Sequence, residues 1–142
     1  MANTYRDIQG ALTGSLVALN SATLDSLPVG FHMRDFNPET VTGAVFLLES
    51  YLFDQQSALD KQGLDEVRGI YQVSVYLRSG EPVATINTII DAIISNYTHN
   101  KSFVYNSQKI VIINAGRNGG TFQNGWYAVD VSINFKSDIL RA

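Results

Sequence analysis

The cleanest alternation in the chain lies near its C-terminal end. Tyr127, Val129, Val131, Ile133 and Phe135 interleave there with Ala128, Asp130, Ser132, Asn134 and Lys136. A period of two with one apolar face predicts a half-buried antiparallel strand. Residues 67–77 repeat the pattern, with Tyr71, Val73, Val75 and Leu77 on one face and Ile70, Gln72, Ser74 and Tyr76 on the other. Residues 109–114 predict a short apolar strand, and 31–36 another, stopped by Asn37-Pro38. Residues 45–53 differ. Val45, Leu47, Tyr51 and Phe53 make one apolar face and Phe46, Leu48 and Leu52 the other, with Glu49 and Ser50 as exceptions. A strand apolar on both faces is covered on both. In a domain this small, a neighbouring subunit is the expected second cover.

Two segments carry helical spacing. Tyr5, Ile8, Leu12, Leu16 and Leu19 recur at the helix period, with Thr4 and Asp7 as an N-cap signal and Asn20-Ser21 as the end. Gly10 and Gly14 lie inside this helix, each costing about 1 kcal/mol against alanine, and are the places where another backbone can approach. The second helix is predicted over 82–97. Pro82 suits its first turn, Ser79 or Gly80 its cap, and Val83, Ile86, Ile90, Ile93 and Tyr97 its buried stripe, widened by Ile89 and Ile94. That stripe is expected to pack against Val73, Val75, Val129 and Val131. Residues 54–66 are mostly polar and read as a long loop or the flexible end of a hairpin; 115–125 read as a glycine- and asparagine-rich loop. The sum is an α+β domain over 1–142, a mostly antiparallel β-sheet with two α-helices packed on one face.

Charge and chemistry narrow the function. Charged residues make up only 16% of the chain, against about 25% in an average domain, which leaves more neutral surface to bury against a partner. The net charge is −3 and the ten basic residues are scattered, so no phosphate-gripping face is expected. The absence of cysteine excludes disulfides, thiolate nucleophiles and cysteine-ligated metals. The start has neither a basic nor an apolar leader region, and no apolar run nears the roughly 18 residues that span a bilayer.

The run Gly116-Arg117-Asn118-Gly119-Gly120-Thr121 has glycine where a phosphate loop needs lysine, and a strand rather than a helix follows. It reads as a hairpin loop, with Asn118-Gly119 and Asn124-Gly125 suited to positive φ. His32 and His99 have no second histidine at ligand spacing, and no serine lies in a nucleophile elbow. The acidic residues Asp54, Asp60, Asp65 and Glu66 do not match a calcium loop; they make either a solvated loop or an acidic surface facing a partner or a lumen. No catalytic, cofactor-binding or metal-binding residue is expected. Aromatics favour the core and also anchor interfaces. Tyr76 and Trp126 point away from the best-buried stripes and are interface candidates, together with Phe46, Leu48 and Leu52 of the two-faced strand and the four acidic residues.

Gly69-Ile70-Tyr71-Gln72-Val73, the turn at Gly80, the helix with Asp91-Ala92-Ile93, then Phe103, then Gly125-Trp126-Tyr127 and the alternating last strand occur in this order. Over residues 67–135 the chain thereby resembles the tail terminator, or tail completion, proteins of long-tailed bacteriophages. The turn after Leu77 is shorter than the proline- and glycine-containing segment common in that family. The resemblance implies a virion structural protein at the head-proximal end of a siphovirus tail, assembled in the host cytoplasm. It implies a homo-oligomeric, hexameric ring that ends tail-tube growth, meets the tail tube protein on one side and the head connector on the other, and lets DNA pass through its lumen without specific binding. Six copies at −3 carry about −18, a field that repels passing DNA. A ring also needs two different patches on each subunit. The segment 54–66 is expected to reach a neighbouring subunit, the tube end or the connector. The alternatives are a head-side neck protein and, in another class, a small ligand-binding or enzymatic α+β domain.

Overall fold

A computed structural model describes residues 4–24, 26–31, 36–58 and 64–140. The element order is α1 (Thr4–Ala22), β1 (Val29–Gly30), a 3-10 turn (Pro38–Thr40), β2 (Val45–Ala58), β3 (Leu64–Arg78), α2 (Val83–Asn96), β4 (Ser102–Tyr105), β5 (Gln108–Arg117), β6 (Thr121–Gln123) and β7 (Trp126–Leu140). The strands form a single sheet in the order β1-β2-β3-β7-β5-β4, with β6 paired to β7 beside β5. Only the β1–β2 pair is parallel. This is the expected α+β architecture.

The helix-covered face is built from the odd-numbered stripe of the long strands. Val45 and Leu47 of β2, Val67, Tyr71, Val73, Val75 and Leu77 of β3, and Val129, Val131, Ile133 and Phe135 of β7 are all buried. Ile86, Ile90 and Ile93 of α2 and Ile8, Leu12 and Leu16 of α1 join them in one core. Each buried isoleucine contributes about 1.5–3 kcal/mol of burial energy, which outweighs the lower helix propensity of β-branched residues. Gly69 of β3 faces Phe135 of β7 in register. A Cβ there would lie 2.7 Å from the Leu52 carbonyl oxygen and 2.8 Å from the Phe135 ring, so the strand takes glycine and the ring covers it.

Several local expectations are corrected. Of the two readings of 54–66, the hairpin end holds and the long loop does not: residues 54–58 extend β2 and 64–66 open β3, paired as Gln56↔Val67, Ser57↔Glu66 and Ala58↔Asp65 after a bulge beyond Phe53. Leu64, Asp65 and Glu66 also pair with β7, and a polar sheet end of this kind is held by its backbone ladder, so hydropathy does not reveal it. Residues 59–63 lie outside the described residues. The short strand expected at 31–36 falls at Val29–Gly30; residues 32–35, including His32, lie outside the described residues. β4 and β6 have no counterpart among the elements expected from hydropathy. They are four and three residues long and exist through tight hairpins at Asn106-Ser107 and Asn124-Gly125, where all four residues take positive φ. At Asn118-Gly119 the positive φ falls one residue on, at Gly120. Asn118 instead accepts hydrogen bonds at Oδ1 from the backbone N–H groups of Gly120 (3.1 Å) and Asp130 (3.0 Å).

The helix ends differ too. Thr4 is the first helical residue of α1 rather than its cap, and the helix continues past Asn20-Ser21 to Ala22. Asn20 then organises the exit: its amide donates to the Leu27 carbonyl and accepts from the Leu27 N–H, both at 2.8 Å. Pro82 occupies the cap position of α2 without a side-chain capping bond, while Ser79 and Gly80 form the preceding turn. Val83, expected in the buried stripe, is 57% exposed, because burial of α2 begins a turn later at Ile86.

Candidate assembly surfaces

α1 spans the helix-covered face from β2 to β4. On the β2 side, the Thr13 hydroxyl donates to both oxygens of the buried Glu49 carboxylate (3.0 and 3.1 Å) and hydrogen-bonds the Tyr51 hydroxyl. Tyr51 donates in turn to the Gln9 carbonyl (3.0 Å), and Tyr71 to Glu49 (2.6 Å). Ser15 meets the Tyr97 hydroxyl of the residue that ends α2 (2.7 Å). Burial pushes the Tyr51, Tyr71 and Tyr97 phenols above their ordinary value of 10.0, with nearby Glu49 adding to each. On the β4 side, the Tyr105 ring lies over Gly10, where a Cβ would meet it at 2.6 Å, and the Asn106 amide donates to the buried Asp7 (3.2 Å). Gly10 therefore admits a ring rather than a backbone, and nothing lies within 4 Å of a Cβ placed on Gly14. Glu49, an exception in the strand pattern, is the acceptor that pins α1 to the sheet.

The opposite, even-numbered face of the sheet carries neither α1 nor α2 and is divided into zones. At one end Phe46, expected at an interface, is buried inside the protomer. It stacks on Tyr76 (centroids 4.6 Å apart, 3° between planes) and meets Trp126 edge-on (4.7 Å) and Phe36 at 5.1 Å. Its core position follows from register: Phe46 pairs with Tyr76, and Tyr76 with Ala128, whose small side chain leaves room for the rings. Tyr76 and Trp126 are half-buried in this cluster. Burial, then Asp130, raises the Tyr76 phenol.

Arg78 completes the zone. Sequence reasoning missed it, although it is two residues past Tyr76 and so shares its face. Its guanidinium lies 4.5 Å from the Trp126 ring centroid and donates to the Val41 carbonyl (2.8 Å). The middle of the face is polar: Ser74 donates to Asp130 (2.6 Å), which also accepts from the Asn118 amide (3.2 Å).

Beyond it lies a groove lined by Leu52, Arg68, Ile70, Ile113 and Asn134. Leu52 is 66% exposed there and Leu48 half-buried. Glu66 pairs with Arg68. Asp54 stands on β2 and Asp65 on β3, and Asp60 lies outside the described residues. The structure thus gathers Tyr76 and Trp126 around Phe46, and places Leu52 some distance along the same face.

Among the described residues no three histidine, cysteine or carboxylate side chains group to hold a metal, and no helix is long and apolar enough to cross a membrane. His99 is exposed, its Nδ1 2.8 Å from the Ile113 carbonyl oxygen.

No family model matches the chain, and no curated protein matches it. Solved structures do. One, a protein bearing no descriptive name, superposes with a TM-score of 0.76 at 16% identity, over 99% of this chain and 100% of its own. Another is a chain in the virion of a native gene transfer agent particle, with a TM-score of 0.62 at 14% identity over 98% of this chain and 100% of its own. The fold is shared end to end in both cases.

Proposed function

We propose that this chain is a non-enzymatic structural protein of a phage-type virion, a tail terminator that assembles as a ring, caps the tail tube, stops its growth and forms the joint to the head connector. The observation that carries the reading is likeness to a chain of a gene transfer agent virion over 98% of this chain and 100% of that one. The family resemblance of the 67–135 region supports it independently of that fold. The molecule also has the surfaces an assembly protein needs: a sheet face without helices, and exposed Leu52, Val104, Tyr105 and Phe122 at separate places along the sheet. Single exposed apolar residues are ordinary, but here they accompany a charged fraction of only 16%.

The test is native mass. The chain is expected to sediment as a closed oligomer of about six copies, alone or once tail tubes are added. A strictly monomeric chain that leaves tube growth unchanged contradicts the reading. A flat thermal-shift screen against nucleotides and divalent metals is expected as well; a reproducible ligand-dependent rise, abolished by changing His32 or His99, favours the enzymatic class.

A further inference from the structure

We propose that the β6–β7 hairpin of one protomer seats Phe122 in the groove at Leu52, Ile70 and Ile113 of the next. This rests on the ring reading and adds to it the two patches that join neighbouring copies.

Phe122 is 76% exposed, more than any other large apolar side chain among the described residues. Its position is nevertheless built. The ring packs on Tyr127 (centroids 4.9 Å apart), and the Tyr127 hydroxyl donates to the Gly119 carbonyl (3.0 Å). Gly120, at φ 86°, runs so close to Tyr127 that a Cβ there would lie 2.3 Å from the hydroxyl oxygen. An aromatic ring supported in this way gives up little freedom on docking, as an interface anchor must. From Asn118 to Val129 the hairpin carries no charged residue.

The groove offers a matching seat. Leu52, Ile70 and Ile113 line it with apolar surface, and its volume of about 690 Å³ has room for an aromatic ring and part of the turn that carries it. Asn134 donates to Asn114 within it (2.6 Å), which leaves Asn134 Oδ1 and the Asn114 amide N–H groups without a partner among the described residues. They are an acceptor and a donor for the main chain of an incoming hairpin. Arg68, the one charged residue of the lining among the described residues, is paired with Glu66. The two patches therefore match in charge: an uncharged hairpin meets a groove with no unpaired ion to strip of water.

A protomer cannot fill its own groove. The hairpin joins β7 at Trp126, and the groove is lined by Asn134, eight residues further along the same strand. That is about 27 Å at the rise of an antiparallel strand. Hairpin and groove are two unlike patches, and joining them adds copies head to tail, the contact from which a ring closes.

Cross-linking tests it. The chain has no cysteine, so introduced thiols report this contact alone. Phe122→Cys mixed with Leu52→Cys is expected to give a disulfide-linked pair on mild oxidation, faster than either variant by itself. The chain carrying both substitutions is expected to give a ladder that runs up to the copy number of the ring. Phe122→Ser is expected to keep its circular dichroism spectrum and to sediment as a monomer under conditions where the natural chain forms rings. If the natural chain forms rings and Phe122→Ser does too, or no mixed disulfide appears, the pairing is wrong while the ring reading stands. The pairing is equally wrong if Phe122→Ser keeps its ring and loses only binding to tail tubes. A ladder that stops at two copies overturns the head-to-tail placement. If the natural chain never associates, with or without tubes, the ring reading fails and the pairing with it.

Discussion

The two faces of the sheet are built from the same strands, yet they do different things with their side chains. The helix-covered face is apolar from Val73 to Leu77 and from Val129 to Phe135, with the buried Glu49–Tyr71 bond as its polar pin, and both helices close over it. The other face changes character every few residues, from the Phe46 aromatic cluster through the Ser74–Asp130 pair to the groove at Leu52 and Ile70. A face that only has to exclude water can be uniform. A face that meets other molecules has to differ from place to place, because specificity comes from position. The contrast also shows that a face without α1 or α2 need not be uniformly exposed: Phe46 is 1% exposed, packed among Phe36, Tyr76 and Trp126.

The largest effect should come from breaking that local exception. Phe46→Ala is expected to destabilise the isolated protomer by about 3–5 kcal/mol in a denaturant titration, as for a buried core phenylalanine. A loss within about 0.5 kcal/mol, ordinary for surface positions, would return Phe46 to the interface. On the covered face, Ile90→Ala should cost about 2–5 kcal/mol. Next comes the pin between α1 and the sheet. Tyr71→Phe removes the hydroxyl that donates to buried Glu49 and should cost about 1.5–3 kcal/mol, the usual worth of a hydrogen bond to a charged group. An unchanged midpoint would show that the carboxylate is satisfied without the Tyr71 hydroxyl.

The phenols of the covered face predict a pH dependence. Tyr51, Tyr71 and Tyr97 are raised above 10.0 in the folded chain. The unfolded chain therefore loses these protons first as pH rises. Their contribution to stability is fully present below about pH 10 and declines as pH rises from there through their folded values. A spectrophotometric titration should show these three phenols ionising only with alkaline unfolding. Three early, reversible steps in the folded protein would contradict the burial. The smallest expected effects lie on exposed surface. Leu52→Ala should leave protomer stability within about 0.5 kcal/mol. Gly14→Ala, with open space around the added Cβ, should gain about 0.5–1 kcal/mol.

Periodicity makes the covered face legible. Tyr71 to Leu77 and Val129 to Phe135 announce their alternation, and Ile86, Ile90 and Ile93 their helix, because burial on one side leaves a periodic trace. The polar ribbon beyond Phe53 has the hydropathy of a loop because its stability comes from backbone pairing, which leaves no apolar signal. β4 and β6 are too short for a period to emerge, and their turns, not their strands, carry the information. The outer face is half legible. Alternation places Tyr76 and Trp126 there and extends to Arg78 beside them. That Phe46, Tyr76 and Trp126 fill one another's space depends on the β2–β3–β7 register, which no single segment encodes.

The most direct test of the whole account is negative-stain imaging of the purified chain mixed with growing tail tubes. The account predicts rings in the protein alone or on the tubes, one ring at a single end of each tube, and tubes that stop lengthening once capped. Bare tube ends, with the protein dispersed as monomers and tube length unaffected, would contradict it.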